Sequence, residues 1–270
     1  MAKHRRTWNN SIFNKYLREG RGQGVGAGYT PWICIQDFPS MGMVSRVSGT
    51  TTGRIHHLMS NLELSLFYLL DWSDDVIDIR EQYPLIDLVN VIEIAENANI
   101  RYPYDTKSGF PYVLTSDFYI ETTQDAMIMS VKPSSELGKL RVREKLEIER
   151  RYWNKRGVEW SVMTENEINS VKARNIEWLS QARDLSVFGL CTATQDECRK
   201  FFLEAYDFDK YSFDILFTDV EKAFGLAAGM GLNIYKHLAY WKQIYFNADE
   251  KIDLAKLHLC SNPYYAGGVA

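Results

Sequence analysis

Asp117, Lys132 and Glu63 have the types and spacing to do chemistry together. Asp117 lies in the strand-like run Ser116-Asp117-Phe118-Tyr119-Ile120, and a second such run ends in Ser130-Val131-Lys132. Side chains alternate across a strand, so an acid and a lysine on paired strands meet at one end of the hairpin. A carboxylate there binds a hard divalent cation through oxygen. A lysine beside it positions or activates an attacking water and offsets charge growing on a phosphate. Such a site needs a further carboxylate from outside the hairpin. Glu63 is the candidate, in line with Phe67 and Leu70 at i+4 and i+7. A carboxylate among apolar residues is costly to bury unless it is paired or metal-bound. Ser60-Asn61-Leu62-Glu63 also reads as a capping box, which gives Glu63 a purely local use.

The elements that must position these residues follow from spacing. Ser60 to Trp72 reads as a helix, with Ser60 as cap and Leu62, Leu66 and Leu69 at helical spacing. Val76 to Arg80 is a short strand. Thr115 to Ile120 and Ala126 to Val131 form a hairpin across the polar turn Glu121 to Asp125. Ser134 to Lys155 is a long charged helix, stopped by Gly157, and Val158 to Met163 is another strand. This order predicts an α/β core. Thr164 and Glu167 form a second capping box that opens a helix through Leu179. Phe213 to Phe224 and Leu232 to Gln243 read as helices, and Ile244 to Phe246 with Ile252 to Leu254 as a small hairpin around Asn247 to Glu250. Helices followed by a hairpin predict a winged-helix-like module. The boundary falls between Glu165 and Ser170, giving units over residues 1–167 and 168–270.

The remaining features are read more plainly. The glycine-rich run Gly20 to Gly28 lacks the lysine of a phosphate loop and follows no clear strand, so it is expected to be a flexible hinge. Adjacent His56 and His57 point in different directions along one element and do not share a metal; a structural or DNA-backbone role is expected. Glu149 is read as an exposed helix charge balanced by Arg150 and Arg151, with a supporting role at the site as the other option. Cys34, Cys191, Cys198 and Cys260 are scattered without a paired motif, which argues against a zinc site or disulfide framework. The net charge of -4 hides a basic N-terminal stretch, Lys3 to Arg54, in which Glu19 and Asp37 are the acids. That stretch suits a polyanion. The chain has no apolar run long enough for a membrane span and no signal-peptide core, so a cytoplasmic protein is expected.

The acid–lysine hairpin is the core of the PD-(D/E)xK nuclease arrangement. Several longer segments closely resemble the TnsA family in the same order. They include Gly20-Arg-Gly-Gln-Gly24, Tyr29-Thr-Pro-Trp32, Gly53-Arg-Ile-His-His-Leu58, Ser60-Asn-Leu-Glu-Leu64 and Asp78-Ile-Arg-Glu-Gln82. Ser116-Asp117-Phe118, Val131-Lys132-Pro133, Glu144-Lys-Leu-Glu-Ile-Glu-Arg-Arg-Tyr-Trp153 and Asn175-Ile-Glu-Trp-Leu179 follow. The resemblance runs from about Gly20 to Leu179 and is faint beyond Ser180. Leu85 to Leu114 looks unlike the family and is expected to be loop variation.

The resemblance implies a restriction-endonuclease-like core with a C-terminal helical, winged-helix-like domain. It implies a Mg²⁺- or Mn²⁺-dependent endonuclease that cuts the 5′ strands at transposon ends. Glu63, Asp117 and Lys132 match the family's catalytic acids and lysine, and Val131 matches the position whose backbone carbonyl completes the metal shell. Its implied partners are transposon-end DNA, a TnsB-like transposase that cuts and joins the 3′ ends, and a TnsC-like AAA+ regulator. Ser130 departs from the glutamine or acid usual before Val131, which leaves the number of metals open. A stand-alone restriction or repair nuclease, and a non-catalytic DNA-bound adaptor, are the rival readings.

Overall fold

Alternation of apolar and polar residues on both sides of a five-residue polar turn makes a hairpin the natural first element of the core. In the computed structural model, which describes residues 7–37, 43–206 and 213–252, that hairpin is β4 (Thr115–Thr122) and β5 (Ala126–Val131), with Phe118 opposite Met129 and Ile120 opposite Met127. β3 (Val76–Pro84) flanks it antiparallel on one side, and β6 (Glu159–Met163) runs parallel to β5 on the other. A parallel neighbour requires a crossover. Here α4 (Leu140–Asn154) supplies it, and Gly157, at φ +69, turns the chain back toward the sheet. Two smaller strands, β1 (Ser45–Ser48) and β2 (Ile55–Leu58), form a separate antiparallel pair.

The sheet is covered by two apolar clusters. Leu66, Phe67 and Leu70 of α2 (Asn61–Asp71) pack with Leu58, Ile79, Phe118, Ile120 and Val131. Ile94 and Ala95 of α3 (Leu88–Asn97) join Ile148, Tyr152 and Trp153 of α4, together with Ile128. Helices thus meet a mixed sheet through both clusters, the expected α/β class. The long charged helix begins later than its composition predicts. Residues Ser134–Glu136 form a 3-10 turn and α4 starts at Leu140, because Pro133 and Gly138 interrupt the run.

Segments expected to be loose are held firmly. In the glycine-rich run, Gly20, Gly22, Gly24 and Gly26 all have positive φ. A Cβ on Gly22 would lie 2.2 Å from Pro84 Cγ, and the Gly26 N–H donates to Asp78 Oδ2 at 3.1 Å. The run is a loop docked on β3, not a hinge: a Cβ on Gly22 or Gly24 would strike the Pro84 ring or the Gly28 carbonyl, while Gly20 and Gly26 supply the positive φ that the path requires. Leu85 to Leu114, expected as loop variation, contains α3 and a segment that clasps the N-terminal helix α1 (Asn10–Arg18). Trp8 donates from its indole to the Pro111 carbonyl at 2.8 Å and from its backbone to Asp105 Oδ2 at 3.3 Å. Its ring meets those of Phe13, Tyr16, Trp32, Phe110 and Tyr112.

Two compact units divide between Ile168 and Asn169. The Thr164–Glu167 box forms, with Glu167 Oε2 accepting from the Thr164 N–H at 2.7 Å. It makes a turn rather than a helix, and α5 (Ser170–Ser180) starts at its own cap, Asn169. The second unit continues with α6 (Thr192–Tyr206), α7 (Phe213–Phe224) and α8 (Met230–Tyr240). Ile244 to Phe246 form no strand, and of Ile252 to Leu254 only Ile252 lies within the described residues. The wing of the expected winged-helix module is therefore absent among the described residues, and Ile244 and Ala248 are buried instead. Cys260 and the basic residues Lys3, Arg5 and Arg6 lie outside the described residues. Among the described residues, no helix is long and apolar enough to cross a membrane.

Candidate active site

Asp117 and Lys132 meet at the end of the β4–β5 hairpin. Lys132 Nζ donates to Asp117 Oδ2 at 2.8 Å and to the Val131 carbonyl at 2.7 Å, while the Val131 N–H donates to the same Asp117 oxygen at 2.6 Å. The ammonium is fixed on the two oxygens, one carboxylate and one carbonyl, that a divalent cation would use. Asp117 is buried and Lys132 partly so. Burial alone would lower the lysine's pKa. The charge of Asp117 and its hydrogen bond, reinforced by Glu149 and Glu63, outweigh burial and raise it.

Glu63 reaches the same place from α2. It serves the helix start: its N–H donates to the Ser60 hydroxyl at 3.1 Å, and its carboxylate accepts from the Met59 N–H at 2.9 Å and from Ser60 Oγ at 3.0 Å. It is also 5% exposed. Burial first, and then the charge of Asp117, push its carboxyl up to about 7. The two uses are compatible, since the capping bonds aim the carboxylate while leaving it close enough to Asp117 to feel its charge.

Glu149 is not an exposed helix charge. Arg150 and Arg151 both pair with Glu147 instead, and Glu149 is buried with its carboxylate bonded to the hydroxyl of Ser130. Burial and the Asp117 charge raise its carboxyl to about 7. Ser130, where the nuclease pattern usually carries a glutamine or acid, is thus the hydroxyl through which an acid from α4 reaches the hairpin. Gln82 was given no role by sequence. It lies in β3 between Glu81 and Tyr83, which pair with Phe118 and Ser116, and so falls across from Asp117. Its backbone is left-handed at φ 50. Its amide donates to Glu63 Oε2 at 3.4 Å and accepts from Thr115 Oγ1 at 3.2 Å. Strained backbone of this kind persists where surroundings over-determine it, often at functional sites.

Three buried carboxylates therefore face one ammonium. Such an arrangement suits a hard cation: the donors are oxygens, and the negative excess is what a divalent ion offsets. Among the described residues, no group of three His, Cys, Asp or Glu side chains is placed to hold a metal by itself. A cation here would draw on the Val131 carbonyl, water or substrate oxygens as well.

The histidines stand apart from this cluster. His56 is fully buried, with Nδ1 hydrogen-bonded to Glu81 Oε2 at 2.8 Å and Nε2 hydrogen-bonded to the Thr52 hydroxyl at 2.7 Å. Arg54 clamps both oxygens of Glu81 at 2.9 and 2.6 Å. Burial favours a protonated Glu81, but the bonds from His56 and Arg54 prevail and hold its carboxyl at about 2. His57 Nδ1 accepts from the Ile35 N–H at 3.3 Å. His56 is tied into the fold by these bonds, and His57 is half-buried.

The fold and the site define a two-unit α/β protein with an acid–lysine centre at a hairpin end. Residues 73–165 match the family model described as TnsA-like endonuclease N terminal, and residues 167–247 match TnsA endonuclease C terminal. The chain is 40% identical over 182 residues to the transposon Tn7 transposition protein TnsA of Escherichia coli, covering 66% of this chain and 66% of that relative. The chain belongs to the TnsA endonuclease family. Membership extends through the C-terminal unit, where sequence resemblance had been faint. Asp117, Val131, Lys132 and Glu149 fall inside the first matched region and Glu63 ten residues before it.

Proposed function

We propose that this chain is a Mg²⁺- or Mn²⁺-dependent DNA endonuclease that cuts the 5′, non-transferred strands at transposon ends, working with a TnsB-like transposase and a TnsC-like AAA+ regulator. The observation that carries the reading is the convergence of Asp117, the Val131 carbonyl and Lys132 beside the buried Glu63 and Glu149. Asp117, Glu63 and the Val131 carbonyl would hold the cation, which supplies charge stabilisation to the attacking and leaving oxygens of phosphodiester hydrolysis. Lys132, released from those oxygens, orients the water and meets charge on the phosphate. Glu149, through Ser130, and Gln82, through Glu63, act as positioning residues that keep the carboxylates aimed.

Loss of the nuclease should have a specific consequence. If 3′-end joining belongs to a different active site, Lys132→Ala leaves partner-dependent joining intact while the 5′ strands stay uncut. Replication through that branched product fuses donor and target, so simple insertions give way to cointegrates. Sequencing the donor, element and target junctions reads the outcome. Simple insertions at normal frequency would remove Lys132 from the reaction.

The C-terminal unit is read as a protein-binding module. A winged-helix reader presents cations from its recognition helix. In α8, Lys236 is instead buried, its Nζ 3.0 Å from Gln181 Oε1 and 4.3 Å from the Trp178 ring centroid. His237 meets the Ala182 carbonyl at 3.1 Å. Both side chains are used inside the unit, which favours the AAA+ regulator as its partner over DNA. A fragment from Ser170 to Ala270 should capture that regulator and bind duplex DNA weakly. Tight, salt-sensitive DNA binding by the fragment would reverse the assignment.

A further inference from the structure

Most cations along α4 and its flanks are matched. Lys139 pairs with Glu136, Arg141 with Glu144, Arg150 and Arg151 with Glu147, and Arg156 with Asp87. Lys145 is different. It is exposed, and it makes no ion pair or hydrogen bond among the described residues. It stands four residues before Glu149, hence one turn away on the same face of α4, about 5.4 Å along the axis. Glu149 in turn is bonded to Ser130, two residues before Lys132. Partial burial of its stem first, and then the like charges of Arg141 and Lys132, disfavour its protonated form. Arg141 is itself fixed, donating to the Arg101 carbonyl at 2.7 Å and to Glu144 at 2.8 Å.

An exposed ammonium with no anion matched to it, one helical turn from a buried acid of the site, is free to take a phosphate oxygen. We propose that Lys145 binds a backbone phosphate of the cleaved strand next to the scissile one, so that α4 serves as the strand's guide into the site. This rests on the nuclease reading but adds to it a contact outside the acid–lysine centre. A lysine suits the task, being a point charge on a flexible stem that adapts to one phosphate without a planar partner. Arg143 is a natural control. It too lacks an ion-pair partner among the described residues, yet two positions along the helix from Lys145 it points elsewhere.

The test is equilibrium binding of a labelled transposon-end duplex to the full chain in EDTA, over a range of salt, for wild type, Lys145→Gln, Lys145→Arg and Arg143→Gln. Each phosphate contact contributes about 0.9 to the slope of log K against log salt. Lys145→Gln should lower the slope by about one and weaken binding roughly tenfold at low salt. Lys145→Arg should restore the slope and Arg143→Gln should leave it unchanged. An unchanged slope in Lys145→Gln, with wild-type binding intact, overturns the proposal and spares the nuclease reading. An equal loss in Arg143→Gln also overturns it, since generic charge would then explain the effect. Wild-type chain that shows no salt-sensitive binding to any duplex counts against the proposal and the nuclease reading together.

Discussion

Two buried polar clusters lie on neighbouring strands of one sheet, and they are built on opposite principles. Around Glu81 in β3, one carboxylate is met by the Arg54 guanidinium, the His56 ring, the His57 N–H and, one step out, the Thr52 hydroxyl. Around Asp117 in β4, three carboxylates share one ammonium. The first cluster is matched, and its central carboxyl is held at about 2. The second is mismatched, and Glu63 and Glu149 are pushed to about 7. A buried polar network whose charges are paired, with the Arg54 Nε–H alone left unbonded, ties β2 to β3 and calls for no further ion. One left with unbalanced charge is destabilising unless a further ion or substrate arrives, which is the physical mark of a site.

The contrast breaks first at Asp117. Asp117→Ala should abolish Mn²⁺ binding by calorimetry and cut partner-dependent nicking about 1,000-fold, a loss of about 4 kcal/mol in transition-state stabilisation. The thermal midpoint should fall only modestly, because the variant strands the Val131 N–H but also removes surplus negative charge. Retained Mn²⁺ affinity would take Asp117 out of the site.

Glu81→Ala should do the reverse. It leaves Arg54 buried without its partner, which costs about 3–5 kcal/mol. Urea unfolding of the catalytic unit reads this directly. A loss below about 1 kcal/mol would mean the matched cluster is not structural.

Glu149→Gln separates the clusters by pH. A carboxyl raised from its usual 4.5 to about 7 makes the folded chain bind more protons than the unfolded chain between those values. Stability then falls as pH rises through that window and is flat above it. The amide cannot ionise yet still accepts from Ser130. The variant should therefore gain on wild type from pH 4.5 to 7, by up to about 3 kcal/mol. Denaturation curves that run parallel for the two proteins across that range would show that Glu149 carries no such burden. The smallest effect is expected at Thr52→Val, where a near-isosteric change removes one hydrogen bond to His56 and costs about 1–2 kcal/mol in unfolding. A neutral result would show that His56 finds another partner.

What was readable beforehand divides along the same line. The Ser60 cap, the β4–β5 hairpin and the meeting of Asp117 with Lys132 follow from local spacing, and the structure forms each of them. The second half of β3 was not readable. The spacing ends the strand at Arg80, yet Glu81 and Gln82 continue it and are buried, because their partners Arg54 and Thr115, like Glu121 for Arg80, come from distant segments. Glu149 was misread for a related reason: two adjacent arginines looked like its counterions, whereas helical spacing gives both to Glu147. A buried carboxylate at Glu149 becomes visible only when α4 is laid against Ser130. The docked glycine loop could not be told from a hinge, since glycine serves close approach and freedom equally well. Ile244 to Phe246 form no strand because Ile244 is apolar for burial, while all but Ile252 of the second expected strand lies outside the described residues.

The clasp on α1 sets a timetable for the growing chain. Trp8 is bonded to groups about a hundred residues later, at Asp105, Ser108 and Pro111. The helix it anchors is nine residues long and has no fully buried residue of its own, so it gains little from forming alone. At about 5–20 residues per second of synthesis, roughly 5–20 s pass between the emergence of Trp8 and that of its partners. Through that interval the N-terminal segment waits beside the ribosome with its aromatic rings uncovered, and it docks only after the α3 segment is complete. Ribosome-bound chains halted before Phe110 should expose Trp8 to solvent quenchers, and chains halted well past Tyr112 should shield it.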